Sequence, residues 1–75
     1  MDKIDFLKNF ADQFDETDAE ELTMKTEFHE LEEWSSLIAL AVLNMISKKY
    51  GKTVTFDEMR TCVTIEDLFK VVDLK

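Results

Sequence analysis

The chain changes character at the stretch Glu33-Trp34-Ser35-Ser36-Leu37-Ile38-Ala39-Leu40. Acidic and aromatic residues crowd the sequence before it, and an unusually apolar segment follows, in which residues 36 to 50 contain two lysines and no acid. A serine hydroxyl can cap a helix because it accepts a hydrogen bond from an unpaired amide of the first turn. The stretch therefore predicts a helix over about residues 36 to 50, capped by Ser35 or Ser36 and ended by Gly51.

The composition predicts one small helical domain that spans residues 1 to 75. The chain has no proline and a single glycine, and its apolar residues recur at helical spacing, which favours an all-α fold. We expect a bundle of three or four helices. Its stability should be modest, because a chain this short buries only about 60% of its unfolded surface.

Charge is distributed unevenly along the chain. Residues 1 to 35 carry 12 acids and 3 bases, residues 36 to 75 carry 5 acids and 6 bases, and the formal net charge is −8. Such a surface repels nucleic acid and anionic membranes, and it attracts proteins with basic patches. The longest apolar run, residues 37 to 43, is shorter than the about 20 residues that cross a bilayer. The lone Cys62 cannot form an internal disulfide and fits a reducing compartment. We expect a soluble, cytoplasmic protein, and we expect it to be a monomer.

The first half of the chain predicts one amphipathic helix followed by a long acidic loop. The helix covers about residues 2 to 14, and its predicted apolar face contains Ile4, Leu7, Ala11 and Phe14, with Phe6 and Phe10 beside them. From residue 15 to residue 34 the period is lost and acids crowd together. A loop of that length in a compact domain is usually functional. The sequence also allows a helical turn from Asp18 to Leu22 within this loop.

The second half predicts two further helices after Gly51. Thr55-Phe56-Asp57-Glu58 and Thr64-Ile65-Glu66-Asp67 each have the form of a capping box, in which two side chains satisfy amides at a helix start. The first box predicts a short helix over about residues 57 to 61. The second predicts a final helix whose apolar face contains Ile65, Leu68, Phe69 and Val72.

The helix that begins near Ser36 has two apolar stripes. One contains Leu37, Leu40, Leu43, Ile46 or Ser47, and Tyr50, and the other contains Ile38, Ala41, Val42 and Met45. A small bundle can bury one stripe and part of the next. We therefore expect part of the second stripe to be exposed and available to a partner or a cargo.

The order of these elements resembles that of acyl and peptidyl carrier proteins. In that family a serine at the start of the second helix is modified, and the usual triplet is Asp-Ser-Leu; here it reads Ser35-Ser36-Leu37. The resemblance covers the whole chain, because length, acidity and element order agree with it. It implies an all-α bundle of three to four helices of the acyl carrier protein type, with a long acidic loop between the first two helices.

The same resemblance implies a discrete carrier protein that is not an enzyme. The Ser36 hydroxyl would carry a 4'-phosphopantetheine arm whose thiol holds an acyl, aminoacyl or peptidyl cargo as a thioester. The pathway would be fatty acid, polyketide or nonribosomal peptide biosynthesis. The partners implied are a phosphopantetheinyl transferase, a loading ligase or acyltransferase, and the synthases or transferases that use the thioester.

Two departures from the family pattern change the expected recognition by partners. Ser35 replaces the usual aspartate, and the helix after it lacks the acids that often serve for docking, with Ile38 and Ala41 in places where such acids are common. We expect partners to recognise an apolar stripe together with the acidic loop, through Glu30, Glu32, Glu33, Leu37, Ile38, Ala41 and Met45. The alternative is an unmodified acidic helical interaction module that keeps the carrier fold.

Other candidate sites have weaker support in the sequence. The segment from Asp15 to Thr26 lacks the central glycine and the closing glutamate of a calcium-binding loop. His29 is the only histidine, so neither a histidine metal cluster nor a serine and histidine catalytic pair is indicated. We expect Cys62 to be a small, buried core residue.

Overall fold

A computed structural model describes all 75 residues, which form four helices and no strand. Helix α1 covers Lys3–Ala11, α2 covers Ser36–Tyr50, α3 covers Phe56–Thr61 and α4 covers Ile65–Leu74. Two short 3₁₀ turns, Ala19–Glu21 and Phe28–Glu30, lie in the acidic loop between α1 and α2. The predicted all-α bundle is confirmed. None of the helices combines the length and the apolarity that crossing a bilayer requires.

The two ends of α2 follow directly from the local sequence. Ser35 is the N-cap, and its Oγ accepts a hydrogen bond from the Ile38 backbone N–H at 3.3 Å. Gly51 ends the helix with a φ of 65°, a left-handed conformation that glycine adopts without strain. The structure thereby assigns the cap to Ser35 and leaves Ser36 as the first helical residue.

The starts of α3 and α4 are fixed by the two predicted capping boxes. Thr55 and Glu58 form the first box, and Thr64 and Asp67 form the second. Hydrogen bonds from the backbone N–H groups of Thr64 and Val63 lower the pKa of the Asp67 carboxyl. Each box gives partners to amides that a helix start would otherwise leave unpaired.

One apolar core of 18 buried residues holds the helices together, and no polar side chain is buried with it. The largest fully buried side chains are those of Phe6, Phe10, Phe28, Val42, Ile46, Ile65, Leu68 and Val72. Phe28 belongs to the acidic loop, so the loop is anchored to the core as well as connecting α1 to α2. Cys62 is buried, as predicted.

Helix α1 buries a different face from the predicted one. Phe6, Phe10 and Ala11 are buried, whereas Ile4 is 67% exposed. Phe6 and Phe10 lie one turn apart on the same side of the helix, and the two large aromatic rings occupy the core in place of the smaller aliphatic side chain. The helix also ends three residues earlier than predicted, and Phe14 enters the core from the turn that follows.

Both predicted stripes of helix α2 are partly buried and partly exposed. Leu43 and Ile46 are buried on the first stripe, and Ile38 and Ala41 on the second are half-buried. Leu37 is 75% exposed and Leu40 is 44% exposed, whereas Val42 and Met45 are buried. The prediction that Met45 belongs to a partner-binding surface is therefore wrong, because its side chain lies in the core. An almost uniformly apolar helix does not indicate which of its sides faces the core, so the packing of the neighbouring helices decides it.

The acidic loop is tied by its backbone to the start of α4. The Ile65 N–H donates to the Thr26 carbonyl at 3.1 Å, and the Glu66 N–H donates to the Met24 carbonyl at 2.8 Å. These are first-turn amides that have no partner within their own helix. The loop therefore holds a defined path against α4 although it contains little regular structure.

Candidate functional site

Two adjacent serines at the start of α2 have different surroundings. The Ser35 hydroxyl is engaged with the Ile38 N–H as the helix cap. The Ser36 side chain is exposed, and its hydroxyl makes no hydrogen bond within the chain. One serine thus stabilises the helix, and the other presents a free hydroxyl oxygen to solvent.

An open cleft of about 420 Å³ lies beside Ser36, between the Phe28–Glu30 turn, the start of α2 and the short helix α3. It is lined by His29, Trp34, Ser35, Ser36, Ala39, Phe56, Met59 and Arg60. No carboxylate lines the cleft, although the chain contains 17 acidic residues. Its walls are thus largely apolar and aromatic, with one permanent cation.

Contacts with the core hold two aromatic side chains of this cleft in place. The Trp34 ring lies parallel to that of Phe10 at 6.3 Å between centroids, and it meets Phe28 edge to face at 4.9 Å. The His29 Nε2 lies 3.0 Å from the carbonyl oxygen of Cys62. Because a carbonyl can only accept, that nitrogen must carry the proton. The contact joins the acidic loop to the end of α3.

Glu33 lies just before the two serines and fixes the path of the acidic loop. Its carboxylate accepts hydrogen bonds from the backbone N–H groups of Asp15, Glu16 and Thr17, and from the Thr17 hydroxyl. Desolvation by burial raises the pKa of the Glu33 carboxyl, but these hydrogen bonds outweigh it, and the pKa is lowered. The sequence predicted a partner contact here, and the structure instead engages this carboxylate within the chain.

The other predicted partner-binding residues are distributed over the surface near Ser36. Glu30, Glu32 and Leu37 are exposed, and Ile38 and Ala41 are half-buried. The exposed part of α2 also includes the half-exposed Leu40, which the sequence analysis did not include in the partner-binding set.

Sequence reasoning missed the cleft residues that α3 contributes, Phe56, Met59 and Arg60. The capping box predicted this helix but could not place it at the same cleft as the start of α2, because that placement depends on packing between distant segments. One signal was present in the sequence, since Arg60 is the only arginine of the chain.

The family described as phosphopantetheine attachment site matches residues 5–72. The chain therefore belongs to this family of carrier proteins, whose cofactor is covalently attached 4'-phosphopantetheine. No curated protein and no solved structure matches the chain.

The surroundings of Ser36 fit this cofactor. Attachment requires a hydroxyl that a transferase can reach, and the Ser36 side chain is exposed at the start of α2. The cleft beside it leaves room for the part of the arm nearest the serine. The amino end of a helix carries a partial positive charge, which favours the anionic phosphodiester that attachment creates.

Proposed function

We propose that the protein is an acyl carrier protein, or a closely similar aminoacyl or peptidyl carrier, whose arm is attached to Ser36. When bound, the arm supplies a thiol that holds the cargo as a thioester. The observation that carries this proposal is the contrast between the two serines, because the Ser35 hydroxyl caps α2 while the Ser36 hydroxyl is exposed and free. The carrier presents the thioester, and its partner enzymes perform the chemistry.

The partners of such a carrier fall into three classes. A phosphopantetheinyl transferase attaches the arm, a ligase or acyltransferase loads the cargo, and synthases or transferases use the thioester in fatty acid, polyketide or nonribosomal peptide biosynthesis. A cytoplasmic location agrees with the single cysteine, Cys62, which is unpaired and buried.

We further propose that these enzymes dock on the exposed residues that adjoin Ser36. Leu37 and Leu40 supply apolar contact area, and Ile38 and Ala41 border it. Glu30 and Glu32 attract basic patches on the partner and accelerate association.

Met45 and Glu33 are not part of this proposed surface. The Met45 side chain is buried, and the Glu33 carboxylate is engaged by backbone N–H groups of the loop.

Intact mass after incubation with coenzyme A and a broad-specificity transferase tests the attachment site. The wild type and Ser35→Ala should each gain the mass of one phosphopantetheine, and Ser36→Ala should gain nothing. Ser35→Ala is the matched control, because it removes the neighbouring hydroxyl and weakens the helix cap by about 1 kcal/mol without removing the proposed nucleophile. Modification that is lost in Ser35→Ala and kept in Ser36→Ala would reverse the assignment.

A second variant, Ser35→Asp, restores the usual triplet of the family. Aspartate caps a helix about as well as serine does, so the fold should be retained and modification should proceed at least as fast as in the wild type. If no transferase modifies the wild type, including one from the same source, the chain is an unmodified interaction module. The exposure of Leu37 and Leu40 favours that second function.

Charge reversal tests the docking surface. Replacing Glu30 and Glu32 with lysine should slow association with the transferase and reduce its dependence on salt. Replacing Glu66 and Asp73 on α4 makes the same change in net charge and should have a smaller effect. Equal losses for the two pairs would indicate recognition mainly through the apolar residues of α2.

A further inference from the structure

The cleft beside Ser36 differs in charge from the rest of the molecule. The chain contains 17 acidic and 9 basic residues, yet no acid lines this cleft and its only arginine, Arg60, does. His29 is the one other lining residue whose side chain can carry a positive charge. The cleft therefore offers positive charge and no carboxylate, which favours an anionic group.

Most of the N–H donors of Arg60 have no acceptor within the chain. Its Nη2 donates to Asp57 Oδ1 at 2.6 Å, and both side chains are exposed. Exposed ion pairs contribute little to stability, so this pair does not hold the guanidinium firmly. A guanidinium has five N–H donors, and Arg60 makes no other hydrogen bond within the chain. Most of its donors are therefore free for another acceptor.

We propose that Arg60 holds the phosphodiester of the arm in this cleft, an inference that rests on the proposed attachment at Ser36. The phosphodiester is the part of the arm held closest to the cleft, because it is bonded directly to the Ser36 oxygen, and Ser36 and Arg60 both line that cleft. A guanidinium matches phosphate oxygens with two parallel N–H···O bonds, whereas a lysine meets them as a point charge. Arg60 also offsets the repulsion that a chain of net charge −8 exerts on a further negative group.

The consequence of this contact is a defined path for the arm. With one end bonded to Ser36 and its phosphate held from α3, the start of the arm would lie in the cleft, which Trp34 and Phe56 also line. Arg60 is thus a positioning residue. Phe56 is half-exposed, as expected for a side chain that the arm covers when it is in place.

The first experiment uses the fact that Arg60 is the only arginine, so that its Nε–H gives a single side-chain signal in a ¹H–¹⁵N NMR spectrum. We expect this signal to shift when the arm is attached, and its exchange with water to slow. Ser36→Ala given the same treatment should show no change. An unchanged Arg60 signal in protein whose mass includes the arm overturns the Arg60 contact and leaves the attachment at Ser36 standing. Absence of the added mass overturns both.

The second experiment follows the ³¹P signal of the arm in variants that carry it. Arg60→Gln should shift this signal, whereas Lys49→Gln, which removes one positive charge outside the cleft, should leave it unchanged. Asp57→Asn frees the guanidinium and should enlarge the change in the Arg60 signal on attachment. Circular dichroism verifies that each variant is folded. Equal ³¹P shifts in Arg60→Gln and Lys49→Gln overturn the proposal.

Discussion

Helices α2 and α4 are both strongly apolar, but the sequence specifies their orientation to different degrees. Helix α4 has most of its apolar residues on one side, with Leu74 as an exposed exception, and the four predicted from its spacing, Ile65, Leu68, Phe69 and Val72, are all buried. Helix α2 is apolar around most of its circumference, and it buries Val42 and Ile46 while exposing Leu37 and Leu40. A helix with a single apolar stripe indicates its own orientation, whereas an evenly apolar helix is oriented by its neighbours.

The carboxylates near the starts of the same two helices also differ, in how far along the sequence their hydrogen bonds reach. Asp67 in the first turn of α4 accepts hydrogen bonds from the Val63 and Thr64 amides at 3.0 Å each, over three or four positions of sequence. Glu33, just before α2, accepts hydrogen bonds from amides that lie 16 to 18 positions earlier. The short-range arrangement is evident from the sequence, and the long-range one is visible only in the fold.

The largest effect should come from the helix whose orientation is best specified. Phe69→Ala should lower the free energy of unfolding by about 3 to 5 kcal/mol, because it leaves a cavity where the ring meets Phe6 edge to face at 5.5 Å. A loss of that size is a large part of the stability of a small domain. Urea denaturation followed by circular dichroism measures it. Near-native stability would show that the buried side of α4 is assigned wrongly.

On α2, the largest loss of stability should come from a substitution on the buried side. Ile46 is fully buried, so Ile46→Ala should lower the free energy of unfolding by about 2 to 5 kcal/mol. The same urea titration gives the value. A change within the error of the measurement would mean that α2 is rotated relative to the orientation described here.

A smaller loss of stability, which depends on pH, is expected when the Glu33 contacts are disrupted. Because hydrogen bonding lowers the pKa of the Glu33 carboxyl, its stabilisation is complete above the ordinary value of 4.5 and is lost as pH falls through the lowered value of the folded state. Glu33→Gln should therefore reduce the Tm near neutral pH, since an amide has fewer acceptor sites and brings donors towards backbone N–H groups. It should also flatten the fall in Tm as the pH drops below the ordinary value of 4.5.

Asp67→Asn is the matched control for Glu33→Gln, since Asp67 also has a lowered pKa but acts within the start of α4. It should reduce the Tm without releasing the acidic loop, and hydrogen exchange at the Glu16 and Thr17 amides distinguishes the two variants. Faster exchange of these amides in both variants would contradict the distinction between long-range and local stabilisation.

The smallest effect is expected on the exposed side of α2. Leu40→Ala should cost about 1 kcal/mol, because the Leu40 side chain is only partly buried and loses little buried apolar area. The same variant should weaken docking of partner enzymes. A loss of stability equal to that of Ile46→Ala would place Leu40 in the core and reverse the two sides of α2.

The features that sequence reasoning predicted correctly depend on residues close together along the chain. The helix caps at Thr55 and Thr64, the end of α2 at Gly51 and the buried side of α4 are of this kind. The features that it missed depend on contacts between distant segments. Neither the loop contacts of Glu33 nor the position of Arg60 in the cleft that Ser36 also lines follows from any local pattern, because each requires knowledge of how the helices pack.

Trp34 has a practical consequence that follows from its position. It is the only tryptophan of the chain, its indole lines the cleft beside Ser36, and its ring centroid lies 5.5 Å from that of His29. The tryptophan fluorescence of the protein therefore originates at one place, next to the proposed attachment point. The chain thus carries its own optical reporter, with which occupancy of the cleft can be followed in real time without an added label.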